Sequence, residues 1–197
     1  MNLKRVPACM LALTLLLGLG GVAASPTPLA NAVVLIIRHG EKPAVGTGLA
    51  PAGEQRANAY VHYFETYKID GKPLHLDHLI ATKDTKKSFR ERLTIEPLAK
   101  ALGLPIDNQF KEKDVESVAD EITTQPGGKR ILICWHHGEI SRLLQVLGAN
   151  PEALLPNGRW PDSVFNWVIE LRYDANGHLI PGSARRINEH LMTGDAD

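Results

Sequence analysis

The sequence predicts an α/β protein, a three-layer sandwich whose mostly parallel central sheet carries helices on both faces and a C-terminal hairpin giving an antiparallel edge. Three observations carry that expectation. The runs Val33 to Ile37 and Arg130 to Trp135 are continuous, apolar and rich in β-branched residues, the pattern of strands buried on both faces. Segments of helix-forming composition separate such strands, and that alternation implies parallel pairing with helices above and below the sheet. Near the end of the chain, Phe165 to Tyr173 is followed by Asn176-Gly177 and a weaker strand, which reads as a hairpin.

The elements follow in order. Residues 41 to 50 hold Gly, Pro and Thr and read as a loop; from Pro51 to Tyr67 helix formers dominate, with Ala57, Tyr60, Val61 and Phe64 at helical spacing. His78 to Ala81 is a short strand. Ser88 can cap a helix running towards Leu102, with Pro97 kinking or restarting it and Gly103 and Pro105 stopping it. Val115 to Thr123 is a short helix closed by Pro126-Gly127-Gly128, and Glu139 to Leu147 is a helix ending at Gly148. No internal repeat and no long linker divides residues 33–197, which are expected to form one domain.

The first segment has the order of a secretory signal: Lys4 and Arg5, an apolar stretch from Ala8 to Gly20, then small residues. Val22 and Ala24 suit a cut before Ser25, with Ala30 and Ala32 a second choice, so residues 1–24 are expected to be a signal peptide and 25–32 a short linker. The apolar run falls short of the roughly 20 residues a spanning helix needs. The protein is therefore expected to be exported, periplasmic or extracellular, without stable membrane association after cleavage. Loss of Lys4 and Arg5 would leave 20 basic residues against 22 acidic ones. That balance excludes an overall field drawing the chain to nucleic acid. Cys134 would then stand alone, and inside an apolar strand it reads as a small buried hydrophobe.

Two strands end alike. One gives Arg38-His39-Gly40-Glu41; the other gives His136-His137-Gly138-Glu139. Ligands of open α/β sheets sit outside the carboxyl ends of the strands, so a parallel sheet can bring both His-Gly pairs to one site. A Gly after each His lets the backbone turn tightly and approach a ligand closely. Phosphoryl chemistry asks for these residue types. Catalysis there is mostly positioning and charge neutralisation, and the planar fork of Arg suits it. A neutral imidazole can attack phosphorus and form a phosphohistidine. A second His can donate to the phosphate oxygens, and a carboxylic acid can protonate the leaving oxygen.

These residues resemble the histidine phosphatase superfamily, also called phosphoglycerate mutase-like. The resemblance rests on Arg38-His39-Gly40 after an apolar strand, Leu49-Ala50-Pro51-Ala52-Gly53 with Arg56-Ala57, the run Arg90-Glu91-Arg92-Leu93-Thr94-Ile95-Glu96-Pro97-Leu98-Ala99, and His137-Gly138 after a second strand. It implies His39 as nucleophile, Arg38 and Arg90 as phosphate-binding guanidiniums, and His137 as the second histidine. Lys42 stands where one branch of the family has an Arg, and is either a third phosphate cation or a surface lysine. For the proton donor the resemblance offers Glu139, with Glu112 and Asp114 as alternatives. His136 falls where the family has a small residue, and its ring would narrow the pocket. Arg92, two residues beyond Arg90, should face elsewhere on the helix.

The resemblance implies a phosphatase hydrolysing phosphomonoesters through a phosphohistidine on His39; a phosphate-ligand binding protein without turnover, or a phosphomutase, are the alternatives. The partner would be a phosphorylated small molecule or a phosphoprotein. No cofactor is expected. His75 and His78 lie three apart without Cys or carboxylate partners at matching spacing, so no metal is expected. Lys83, Lys86 and Lys87 with Arg90 and Arg92 form a local cationic concentration, which attracts an anionic substrate or is a solvated face. Trp160 and Trp167 are expected in the core or in a lid.

Overall fold

A continuous apolar run can be satisfied only where both faces of a strand are covered, and β1 (Val33–Arg38) meets that demand with every residue buried. In the computed structural model, which describes residue 27 and residues 29–195, the chain runs on through α1 (Pro51–Glu65), β2 (Lys68–Ile69), β3 (Lys72–Pro73), β4 (His78–Ala81), α2 (Arg90–Leu102) and β5 (Ile106–Asp107). It continues through α3 (Val115–Thr124), β6 (Arg130–Trp135), α4 (His137–Val146), α5 (Pro151–Leu154), β7 (Trp167–Arg172) and β8 (Arg185–Asn188). Six strands form one sheet in the order β5-β4-β6-β1-β7-β8. The first four of these are mutually parallel; β7 runs antiparallel to β1 and β8 antiparallel to β7. The architecture is the predicted mixed sheet with an antiparallel edge.

Alternate residues of β1 divide the core in two. Val34 and Ile36 join Val118 and Ile122 of α3 and Ile140, Leu143 and Leu144 of α4. Val33, Leu35 and Ile37 join Tyr60 and Phe64 of α1 and Ile95 and Leu98 of α2. Trp160 and Trp167 pack together in the first layer, their rings tilted by 51° with centroids 5.4 Å apart. Cys134 is buried in the second layer, where burial holds its thiol well above the usual range.

Several boundaries differ from the sequence reading. Helix α2 runs unbroken through Pro97 to Gly103, whose φ of 67° closes it in the left-handed conformation. Helix α4 begins two residues early, at His137, because the Nδ1 of His136 caps it by accepting from the Gly138 amide. Strand β7 starts at Trp167 rather than Phe165. The pairs β2–β3 and β4–β5 were not expected; β2, β3 and β5 are two residues long, too short to show a period. Residues 29–32, within the predicted short linker, make a turn whose Leu29 and Ala32 are buried. The predicted signal peptide lies outside the described residues.

Candidate active site

The register of the central strands builds the site. Arg38 is opposite Trp135 across the parallel β1–β6 pair, so the next residues, His39 and His136, leave the sheet side by side. Their ring centroids lie 6.3 Å apart, and the ring of His137 is also 6.3 Å from His39. His136 and His137 stand 4.6 Å centroid to centroid. Both strand ends that share the His-Gly-Glu pattern therefore meet.

His39 is buried, and its Nδ1 lies 2.6 Å from the carbonyl of Gly40. A carbonyl can only accept, so Nδ1 carries the ring proton and Nε2 keeps a free lone pair. Burial lowers the pKa of this imidazole to about 3, with the charges of Arg38, His136 and Arg90 pushing the same way. The ring is thus neutral throughout the ordinary pH range. His137 is lowered to about 4 by burial and by Arg38, His136 and Lys42, while Asp162, whose carboxylate lies 3.4 Å from its Nδ1, opposes the shift.

Arg38 is buried beside these rings. Its Nη1 donates to the carbonyls of Pro161, Asp162 and Val164 at 3.0, 3.0 and 2.7 Å, and its guanidinium carbon lies 3.9 Å from the centroid of Phe165. Its Nε has no partner among the described residues, which leaves a buried cationic donor available to an anion. Burial lowers this guanidinium to about 10, still protonated at neutral pH. Arg90, on the first turn of α2, donates to the carbonyls of Gly46 and Gly48 and to Ser88, and its charge reaches His39. Arg92 turns away to Asp84 and Glu96.

Two contacts fix the Arg38–Glu41 turn from outside. The Gly40 amide donates to Thr94 Oγ1 at 2.8 Å, and the same hydroxyl donates to the Arg90 carbonyl. A Cβ placed on Gly53 would come within 2.5 Å of the Glu41 carbonyl oxygen, and one on Gly40 within 3.0 Å of the Gly53 carbonyl oxygen. The close approach that Gly40 permits is therefore to helix α1, not to a ligand as the sequence suggested. Glu41 is held by Arg56, a buried guanidinium that also meets Glu189 and Asp195.

The three candidate acids separate. Glu112 lines a cleft with His136, its carboxylate 4.0 Å from His136 Nδ1. Asp114 accepts from the Lys111 amide at 3.0 Å and closes the turn before α3. Glu139 lies on the first turn of α4, and its carboxylate has no hydrogen bond or ion pair among the described residues. Lys42 is exposed, with its charge acting on His137. Sequence reasoning missed three residues of the site. The sequence presents His136 only as an obstruction, puts Phe165 inside a strand and gives Glu91 no role of its own. Glu91 is buried at the cleft wall, accepts from Ser88, and is pushed up by its burial; a carboxyl beside a motif Arg, on the first turn of a helix, was the signal for it. Among the described residues no group of three or more His, Cys, Asp or Glu is arranged to hold a metal ion, and no helix is long and apolar enough to cross a membrane.

The chain has the fold of the phosphoglycerate mutase-like proteins, the histidine phosphatase superfamily. It is similar to the phosphoglycerate mutase of Bacillus anthracis (TM-score 0.55, 12% identity, 80% of this chain and 94% of that one). It is likewise similar to that of Plasmodium falciparum (TM-score 0.53, 16% identity, 85% and 98%). A protein of Agrobacterium tumefaciens assigned as the phosphohistidine phosphatase SixA matches at TM-score 0.51 and 18% identity, over 73% of this chain and 92% of that one. No protein-family model and no curated protein matches the sequence.

Proposed function

We propose that this protein is a phosphatase that hydrolyses phosphomonoesters through a phosphohistidine on His39. One observation carries the reading: a neutral imidazole whose Nδ1 proton is committed to the Gly40 carbonyl, with Nε2 free, beside a buried guanidinium whose Nε lacks a partner. In the first step the Nε2 lone pair forms a bond to phosphorus as the bond to the leaving oxygen breaks. That oxygen takes a proton from a carboxylic acid. In the second step water attacks phosphorus, its proton goes to the same carboxylate, and the P–N bond breaks to release phosphate and restore His39. Arg38, Arg90 and His137 hold the non-bridging oxygens, and Lys42, whose charge acts on His137, adds a further cation. The arriving dianion itself raises the pKa of His137, turning a neutral ring into a donor. Of the carboxyls that the resemblance offers, Glu112 is proposed as the acid, because it lines the cleft beside His136.

Export to the periplasm or the exterior is part of the proposal and rests on the signal-like segment. It favours hydrolysis over mutase action, since phosphorylated sugar acids and a mutase's priming bisphosphate are cytoplasmic metabolites. The protein lacking residues 1–24 should release phosphate from 4-nitrophenyl phosphate and, mixed with labelled substrate and quenched, should carry labelled phosphate. His39→Ala should abolish both. Unchanged turnover in that variant sinks the mechanism, and binding of phosphate without turnover or label makes the protein a phosphate-ligand binder.

A further inference from the structure

Beside His39 and the phosphate-binding residues lies a cleft of about 590 Å³, whose lining includes Arg90 and His136. Six cationic side chains line the cleft: Lys83, Lys86, Lys87, Arg90, Lys111 and Lys113. Only two carboxyls, Glu91 and Glu112, face them, although the whole chain holds 22 basic and 22 acidic residues. The fold brings these charges together. Lys83 to Lys87 follow β4, Lys111 and Lys113 follow β5, and the two strands pair in parallel. The Lys83 amide donates to the Phe110 carbonyl at 2.6 Å and joins the two loops.

A solvated basic face would spread or pair its charges. Here none of the five lysine ammoniums has an ion pair or hydrogen bond among the described residues, whereas neighbouring Arg92 has two carboxylate partners. Thr82 Oγ1, buried on the same wall, also has no hydrogen-bond partner among the described residues. Charges of one sign converging in a concave site focus the field and gather counter-ions. A buried hydroxyl left unmatched is a further group that a polar ligand would satisfy.

We infer that this cleft is a second anion site. Resting on the phosphatase reading above, the substrate is a small phosphomonoester whose leaving group carries at least one more anionic group, a phosphate or a carboxylate. The scissile phosphate lies at His39 while the second anion lies among Lys83, Lys86, Lys87, Lys111 and Lys113.

Three substrates of one chain length test this: butyl phosphate, 4-phosphonooxybutanoate and 1,4-butanediol bisphosphate. The wild-type KM should fall by roughly tenfold or more from the first to whichever anion the site prefers, and the gap should close in about 1 M salt. Lys86→Glu/Lys87→Glu and Lys111→Glu/Lys113→Glu should each bring the KM ratio towards one, while Lys68→Glu/Lys72→Glu, on the β2–β3 hairpin, leaves it intact. Turnover with equal KM for all three substrates overturns the second site and leaves the phosphohistidine reading standing. If no substrate turns over and no label is trapped, the phosphatase reading fails instead. Calorimetric titration of the His39→Ala protein with 1,4-butanediol bisphosphate then decides the cleft separately. Binding abolished by either charge reversal sustains it, and absence of binding overturns it.

Discussion

His39 and His137 are chemically alike, yet their surroundings prepare them for different work. The Gly40 carbonyl fixes the tautomer of His39 and burial holds it near 3, so its protonation does not limit activity as the pH falls to about 5. The acid limb of the kcat/KM profile should follow the substrate phosphate and the proton donor. His137, held at about 4 in the free protein, should rise with a bound dianion. NMR titration of the His39→Ala protein should find the ring of His137 protonated near pH 7 only with vanadate present; an unmoved resonance would remove His137 from the phosphate site. Glu112→Gln should cost alkyl phosphates roughly 10²–10⁴-fold in kcat and 4-nitrophenyl phosphate far less, because nitrophenolate leaves without a proton. If Glu139→Gln shows that leaving-group dependence and Glu112→Gln does not, the donor is Glu139.

At the scale of elements, the active-site turn is clamped between two helices. Helix α1 presses Gly53 against the backbone of Gly40 and Glu41, and α2 offers Thr94 to the Gly40 amide. In Gly53→Ala the added carbon would meet backbone atoms, which cannot swing aside, so the helix or the turn must shift at a cost of about 1–3 kcal/mol. The variant should unfold at lower temperature and lose kcat/KM together. Wild-type values for both in Gly53→Ala would show that the clamp does not set the geometry.

For the whole molecule, Arg56 is the buried tie. It joins Glu41 beside the site to Glu189 after β8 and to Asp195, and Asp195 also accepts from the amides of Leu191 and Met192. One guanidinium serves three carboxyls, and burial pushes Glu189 up from 4.5 to about 8. The folded protein therefore keeps a proton that the unfolded chain releases. This contribution is complete below pH 4.5 and is lost as the pH rises towards 8. His39 and His137 act in the opposite sense: lowered from 6.5, they contribute stability above that pH and lose it as the pH falls towards 4 and 3. Denaturant unfolding at several pH values should find maximal stability near pH 6.5, where the gain from the two histidines ends and the loss from Glu189 continues, and Glu189→Gln should flatten the decline on the alkaline side. A decline of the same steepness in that variant would assign it to other groups.

The sequence alone determined the strands β1, β4 and β6, the helices between them, the mixed sheet and the C-terminal hairpin. Residues buried on both faces of a sheet or on one face of a helix leave a repeating apolar pattern in the chain. It also put Arg38, His39 and His137 at the ends of two strands and Arg90 near the start of a helix, where the structure has them, since motif residues at strand and helix ends keep their spacing. The two-residue strands left no such pattern, and their pairing with partners distant in sequence decided them. Tertiary structure alone brought His136 and Phe165 to His39, separated Glu112 from Asp114 and Glu139, and joined Lys111 and Lys113 to Lys83, Lys86 and Lys87. Those relations depend on which strands lie side by side and in what register, and no local pattern encodes a register between strands that are distant in the sequence.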